Sequence, residues 1–395
     1  MRRPNHDIVN VAEINPHAPR PYTFTEAALC MRDSIRAAGY RSELYVNRTD
    51  IEHRTIVLGA LPPNLSAVDN VGARKAVVYN FEQLGSESIL LGNDYVPWLR
   101  KWLVADYHSR NVEWLRTHHP DSIPAMELPI VPSPVIAFRP ELVIEREFDV
   151  LFFGSPTPRR EVILQGLREA GLSVEVVAGA FASELTPAIK RARIVLHVHF
   201  YGTGLFPVAR VLQPVVQGVP IVCETSIQSA LSDWSGSGIV FAPYEGLVQA
   251  CRDLLASADE RARRAMACQA FAAAIDFRTP FESLLRAWDD VPGAMPPTPI
   301  ALPPPTASPS MATAVATQSP NTTMRRSIKD DDRPLSNEEI EAILQDESHD
   351  LPPEAHIAPP PLKIAERTPG KGPYGVLVVW LLVLFSAYTI WMTMR

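Results

Sequence analysis

Between positions 150 and 224 the chain sets glycine, arginine, histidine and glutamate where apolar runs end. Arg159 and Arg160 follow the turn Gly154-Ser155-Pro156, Arg210 follows Tyr201-Gly202-Thr203-Gly204, and Glu224 closes the apolar run 219–223. Backbone N–H groups ahead of a helix, joined by arginine, are the chemistry of anion binding. Gly154 allows close approach of a ligand to the backbone. Arg159 or Arg160 would add charge from a helix start, and the amides of Tyr201, Thr203 and Gly204 would face an anion ahead of a helix that begins near Pro207, a residue tolerated in a first turn. Arg210 sits one turn inside that helix. Arginines at a helix start are also common on solvated faces, and single glycines are common in turns. His197 and His199 alternate along a strand and share one sheet face, with His199 nearer the strand's C-terminal end and better placed for a ligand. Two histidines without a carboxylate or cysteine partner are not a metal site.

These residues need a scaffold, and the spacing supplies one. The runs 150–153, 174–177, 194–198 and 219–223 are short and apolar, as buried parallel strands are. The segment 160–170 places Val162, Ile163, Leu164 and Leu167 at helical spacing and stops at Gly171. Strands alternating with such helices predict an α/β fold with parallel sheets covered on both faces. Polar residues at strand ends are where open α/β sheets bind ligands.

The order VLFFGSPTPRREVILQGL, IKRARIVLHVHFY, a helix carrying Arg210, and QGVPIVCE resembles the C-terminal domain of GT-B glycosyltransferases, closest to the CgeB-like, glycosyltransferase family 1-type branch. FAPYEGLVQACRDLLASADERARRAM is similar to the family's closing strand and helices. VLGALPPN, the run 77–84 and the segment 104–115 are similar to its N-terminal domain. The resemblance covers roughly residues 10–290 and implies two Rossmann-like domains, an acceptor-side domain over 1–140 and a nucleotide-sugar-binding domain over 147–290. It also implies transfer of a sugar from a nucleotide-diphosphate donor without an obligatory metal. Gly154, Arg160, His199, Tyr201, Thr203, Gly204, Arg210, Gln213 and Glu224 then become candidate donor contacts, with Glu224 accepting from a ribose. Glu82 and Gln83, after the strand 77–79, would face the cleft between domains. The general base stays open among Glu13, His17 and Glu82.

The departures bear on catalysis. Retaining members of the family often carry two glutamates about eight positions apart, and the matching places hold Leu205 and Gln213. The CgeB-like branch often has a glutamate before the helix arginine, where this chain has Pro207. Pro214 is expected to break or kink the helix. A catalytically inactive GT-B-like scaffold, anchored at a membrane, is therefore a second reading.

With 395 residues and a net charge of −7, the chain has room for two cores and no basic footprint of a nucleic-acid binder. Cys30, Cys223, Cys251 and Cys268 lie far apart and read as reduced core residues. Residues 291–373 are proline-rich and predict a disordered linker. It is interrupted at 336–346 by a short helix with the capping pair Ser336 and Glu339, a fit for a protein partner's groove. The stretch LSNEEIEAIL resembles the N-terminal peptide of flagellar motor switch proteins. Residues 374–394 carry no charge and are long enough to cross a hydrocarbon layer of about 30 Å. Lys363, Arg367 and Lys371 precede that stretch, which predicts a tail anchor with the globular domains cytoplasmic.

Overall fold

The computed structural model describes residues 7–16, 23–61, 64–85, 94–140, 142–200 and 204–294. The expected linker beyond residue 294, the short helix at 336–346 and the spanning segment 374–394 lie outside them. Among the described residues no helix is long and apolar enough to cross a membrane.

Two parallel sheets carry the fold. The first contains β1 (Val9–Glu13), β2 (Leu44–Val46), β3 (Arg54–Leu58), β4 (Ala76–Asn80), β5 (Leu103–Asp106) and β6 (Ala125–Glu127), in the order β2-β1-β3-β4-β5-β6. Its helices include α1 (Thr25–Ala37), α2 (Leu65–Asp69), α3 (Tyr95–Leu99) and α4 (Ser109–His118). The second contains β7 (Phe148–Phe153), β8 (Val174–Val177), β9 (Ala192–His197), β10 (Ile221–Glu224) and β11 (Val240–Ala242), in the order β11-β10-β9-β7-β8. It is joined by α5 (Pro158–Glu169), α6 (Thr186–Arg191), α7 (Val208–Val216), α8 (Leu247–Ala256), α9 (Ala258–Ala273) and α10 (Arg278–Asp289). In each sheet the first strand pairs with both the second and the third, Val11 opposite Ile56 and Val150 opposite Ile194. The chain direction of the crossovers reverses there, which makes β1/β3 and β7/β9 the switch points where such sheets hold ligands.

The local sequence explains the elements. The central strands β1, β3, β4 and β5 are buried at every position, as parallel strands covered on both faces must be. Thr157 starts α5 by accepting the Arg160 N–H at 3.2 Å, with Pro158 in the first turn, and Gly171 at φ +80° stops it. Val57, Val78, Leu99 and Trp102 build one core, and Phe152, Leu164, Ile194, Leu196 and Val222 the other. The four cysteines are free and buried. Of the two effects expected of Pro214, a break or a kink, the break does not occur, since α7 runs through it to Val216; Pro207 is the helix cap, not a first-turn residue.

The halves are tied together at several points. Helix α10 returns to the first half, where Arg54 bonds Asp289 at 2.7 Å and stands over Trp288, and Phe281 meets Tyr40 edge-on. On another side the loop after β10 docks on the ends of β5 and β6. His108 Nε2 bonds the Ile227 carbonyl at 2.9 Å, the Leu231 N–H donates to Glu127 at 3.0 Å, and Ser229 also donates to Glu127.

Candidate functional site

The second sheet's switch point gathers the charged residues. Gly154, one residue beyond β7, has φ +123°, a backbone shape that side-chain-bearing residues rarely adopt. A Cβ there would stand 3.2 Å from both terminal nitrogens of Arg210, so the glycine brings the backbone against the guanidinium. Arg210 lies on the first turn of α7, its guanidinium 5.5 Å from the Phe153 ring centre. Among the described residues it makes no hydrogen bond or ion pair. It is a cation held in place by packing and left open to an anion.

The other candidates are more committed. Arg160, expected to meet phosphate, is instead 3% exposed and donates to the carbonyls of Val198 at 3.0 Å and Ser155 at 2.7 Å. It braces the loops after β7 and β9. Arg159, one residue earlier and turned outward, holds the Glu224 carboxylate with both terminal nitrogens and lies 4.1 Å from the Tyr244 ring centre. Glu224 therefore faces Arg159 and the His199 N–H, at 2.9 Å, where the sequence had suggested a ribose. Burial pushes the Glu224 carboxyl up, but Arg159 and the His199 amide outweigh it and hold its pKa below the usual carboxylate value.

His197 and His199 lie on the same side with ring centres 5.2 Å apart. His199 Nε2 faces the Thr225 carbonyl at 3.2 Å and Ser226 Oγ at 3.0 Å, which assigns its proton to Nε2. His197 is 7% exposed, and its Nε2 finds no partner among the described residues. Burial, with His199 and three arginines nearby, holds its pKa far below the ordinary histidine value, so it is neutral. Gly204 lies three residues ahead of the α7 cap, at φ +61°, and its carbonyl accepts from the Ile227 N–H at 2.8 Å. It serves the loop after β10 and does not begin the helix. Tyr201 and Thr203 lie outside the described residues.

Gln213 leads to a residue the sequence did not mark. Its amide oxygen accepts from Thr186 Oγ1 at 2.9 Å, and its nitrogen donates to the Ala182 carbonyl at 2.8 Å and to Glu26 Oε1 at 2.6 Å. Glu26 is in the first turn of α1 and also accepts the Ala182 N–H at 2.8 Å. Burial raises its carboxyl to about 7, against the lowering effect of these bonds and of Arg210. Its partners are 156 and 187 residues away, and an acidic residue in a first helical turn is ordinary. Nothing local distinguishes it.

In the first half, Asp106 accepts from Asn80 at 2.6 Å, Asn111 at 3.0 Å and the His108 N–H at 2.9 Å. Asn80 and Asn111 also bond the Glu82 carbonyl, at 2.9 and 2.8 Å, so this buried group fixes the loop that carries Glu82. The Glu82 carboxylate itself has no hydrogen-bond partner among the described residues, and burial raises it to about 7. Gln83 lines a cavity of about 500 Å³ together with Arg110, Trp114 and His118 from α4, and Leu205 and Ile227 from the second half. Glu13 accepts from the Phe24 N–H at 2.9 Å and Thr25 Oγ1 at 2.6 Å. Those bonds assign it to anchoring the start of α1. His17 lies outside the described residues. Among those residues no group of three or more His, Cys, Asp or Glu is placed to hold a metal ion.

No protein-family model matches the chain. A curated protein of Acanthamoeba polyphaga mimivirus, the uncharacterized protein L138, is 33% identical over 106 residues, which are 26% of this chain and 12% of that protein. The chain thus spans far less than two thirds of that relative's length. Among solved structures, the Anabaena protein HepE in complex with UDP and glucose matches 72% of the chain and all of its own length, at 12% identity and a TM-score of 0.47. WaaG, a glycosyltransferase involved in lipopolysaccharide biosynthesis, matches 70% of the chain and 98% of its own length, at 11% identity and a TM-score of 0.43. The T4 phage BGT in complex with UDP and manganese matches 73% and 99%, at 12% identity and a TM-score of 0.44. The two parallel sheets of this chain, each a Rossmann-like unit, are the arrangement of the GT-B glycosyltransferases that its sequence resembles.

Proposed function

We propose that the chain is a glycosyltransferase that moves a sugar from a nucleotide-diphosphate donor to an acceptor bound against the first half. The observation that carries this reading is Arg210. It lies at the switch point of the second sheet, against a glycine backbone, with its guanidinium unpaired among the described residues. A diphosphate offers pairs of oxygens that can take two parallel N–H bonds from such a group, and a leaving diphosphate needs that positive charge as the glycosidic bond breaks. In this reading Arg210 and nearby backbone N–H groups meet the phosphate charge without an obligatory metal. The CgeB-like assignment within the family, membrane tethering through residues 374–394, and cytoplasmic placement of the domains belong to the same proposal. The tether rests on the charge-free stretch and the basic residues before it.

The test is calorimetry of the purified full chain against UDP, GDP and dTDP and their sugar conjugates. A binding ligand at about 100 times its Kd stabilises the fold by about 2.7 kcal/mol. Arg210→Ala should weaken binding by about 10- to 100-fold, the worth of a charge-assisted bond of 1.5–3 kcal/mol. If the folded variant binds as tightly as the parent, Arg210 is not the phosphate group. If no nucleotide binds the parent chain, the transferase reading fails.

A further inference from the structure

Among the described residues Glu26 is the one carboxylate of the first half that hydrogen-bonds the second half's helix α7, and its two oxygens are used unequally. Oε1 takes both the Ala182 N–H and the Gln213 amide. Oε2 makes no hydrogen bond among the described residues and is not sealed from solvent. Its position is determined from both sides. Glu13, at the end of β1, holds the backbone of Phe24 and the hydroxyl of Thr25, which fixes the helix turn that presents Glu26. Across the cleft, the Gln213 amide is locked by three partners, and Ala182 is kept at φ +48°, an uncommon conformation for alanine. A strained backbone donor persists where its surroundings over-determine it, and such positions concentrate at ligand sites.

Arg210 stands three residues before Gln213 on the same helix and is not bonded to Glu26, so the two opposite charges remain separate. A diphosphate ester is an acceptor as the carboxylate is, so the two do not bond each other, and an acceptor-only group needs a donor opposite it. A hydroxyl supplies one. The nucleoside belongs at the switch point of the second sheet, so the part of the donor turned toward the first half is the transferred sugar.

We infer that Glu26, through Oε2, recognises a hydroxyl of the transferred sugar and so helps set which sugar the enzyme accepts. This rests on the nucleotide-sugar reading above. Among the described residues the groups facing the carboxyl are Arg210 and Gln213 from α7, the Ala182 backbone and, on its own helix, Cys30, whose thiol burial keeps neutral. A carboxyl titrating at about 7 there accepts a hydroxyl fully only above neutral pH. Sugar affinity therefore rises with pH.

The probes are UDP-glucose, GDP-mannose and dTDP-glucose beside UDP, GDP and dTDP, with the full chain in calorimetry at pH 6 and pH 8; the tightest-binding pair is followed. Nucleotide sugars are diphosphate diesters with no ionisation of their own in this range. The parent should bind the sugar conjugate at least fivefold more tightly at pH 8 than at pH 6. Glu26→Gln should weaken it about tenfold at pH 8, abolish the pH dependence, and leave the sugar-free diphosphate within twofold, measured at pH 8. Equal loss for both members of the pair would make Glu26 a structural tie and overturn the inference, as would no loss for either. A Glu26→Asp variant, which keeps the charge on a shorter stem, should retain the pH dependence. Absence of binding by the parent to every probe would overturn both this inference and the function on which it rests.

Discussion

Replacing Gly154 by alanine separates two effects that meet at one residue. The first is backbone strain. Alanine must hold φ near +123°, which costs about 1–3 kcal/mol wherever the side chain points. The second is the approach of the new Cβ to Arg210, 3.2 Å from Nη1 and Nη2 and 3.3 Å from Cζ. Those atoms are the far end of a flexible side chain and can yield by a few tenths of an ångström, so the contact adds little to unfolding. It does move the guanidinium off its position. We expect Gly154→Ala to lower stability by about 2 kcal/mol, a fall in Tm of about 4–8 °C for a domain of this size. Nucleotide affinity should fall roughly tenfold, the equivalent of about 1.4 kcal/mol. Urea denaturation and calorimetry measure the two, and Arg210→Ala provides the control. In that background the stability loss should persist, within the roughly 0.5 kcal/mol expected of independent effects, while the affinity loss disappears. A stability loss below about 0.5 kcal/mol would refute the backbone argument. An undiminished affinity loss without Arg210 would show that Gly154 acts by admitting the ligand directly.

Three further outcomes are expected. Glu82 has its carboxyl raised by burial from 4.5 to about 7, so the stability it contributes is fully present below about pH 4.5 and lost as pH rises through 7. Glu82→Gln should remove a decline on the order of 2 kcal/mol between pH 5 and pH 8, read by urea denaturation at each pH, and an unchanged slope would refute the burial argument. Arg54→Ala should cost about 3 kcal/mol, because a guanidinium that is 3% exposed loses both Asp289 and the Trp288 face; Asp289, at 30% exposure, can rehydrate and keeps the cost from rising further. A loss under 1 kcal/mol in chemical denaturation would mean that α10 is held by its apolar face alone. Ala182→Gly relieves a left-handed alanine and should stabilise the chain by about 1 kcal/mol, whereas a destabilised variant would show that the positive φ is not strained.

Legibility in the sequence followed burial. The strands β7, β9 and β10 overlap three of the apolar runs because a parallel strand covered on both faces has little polar alternation, whereas β8, expected to be buried, is an edge strand that is only partly buried along its length. Edge strands such as β6, Ala125–Glu127, are short and only partly buried, and their sequence AME carries no such signal. Arg210 and Gly154 could be proposed from a turn followed by a helix. Arg159 and Arg160 could not be told apart, because adjacent residues on a helix differ by about 100° in direction and only the packed structure shows which one turns inward. Glu26 was invisible for a different reason. Its significance lies in partners on another sheet, and no local spacing encodes a contact across 187 residues.

The return of α10 has a consequence for how the chain comes into being. Arg54 is made early, and its partner Asp289 follows 235 residues later. At a synthesis rate of roughly 5–20 residues per second, the first half would wait roughly 10–50 s on the ribosome before Asp289 reaches its guanidinium and Phe281 reaches the Tyr40 ring. The amino-terminal half is thus completed by α10, the last helix of the described residues, and a nascent chain stalled before residue 289 would present to chaperones the face that α10 covers.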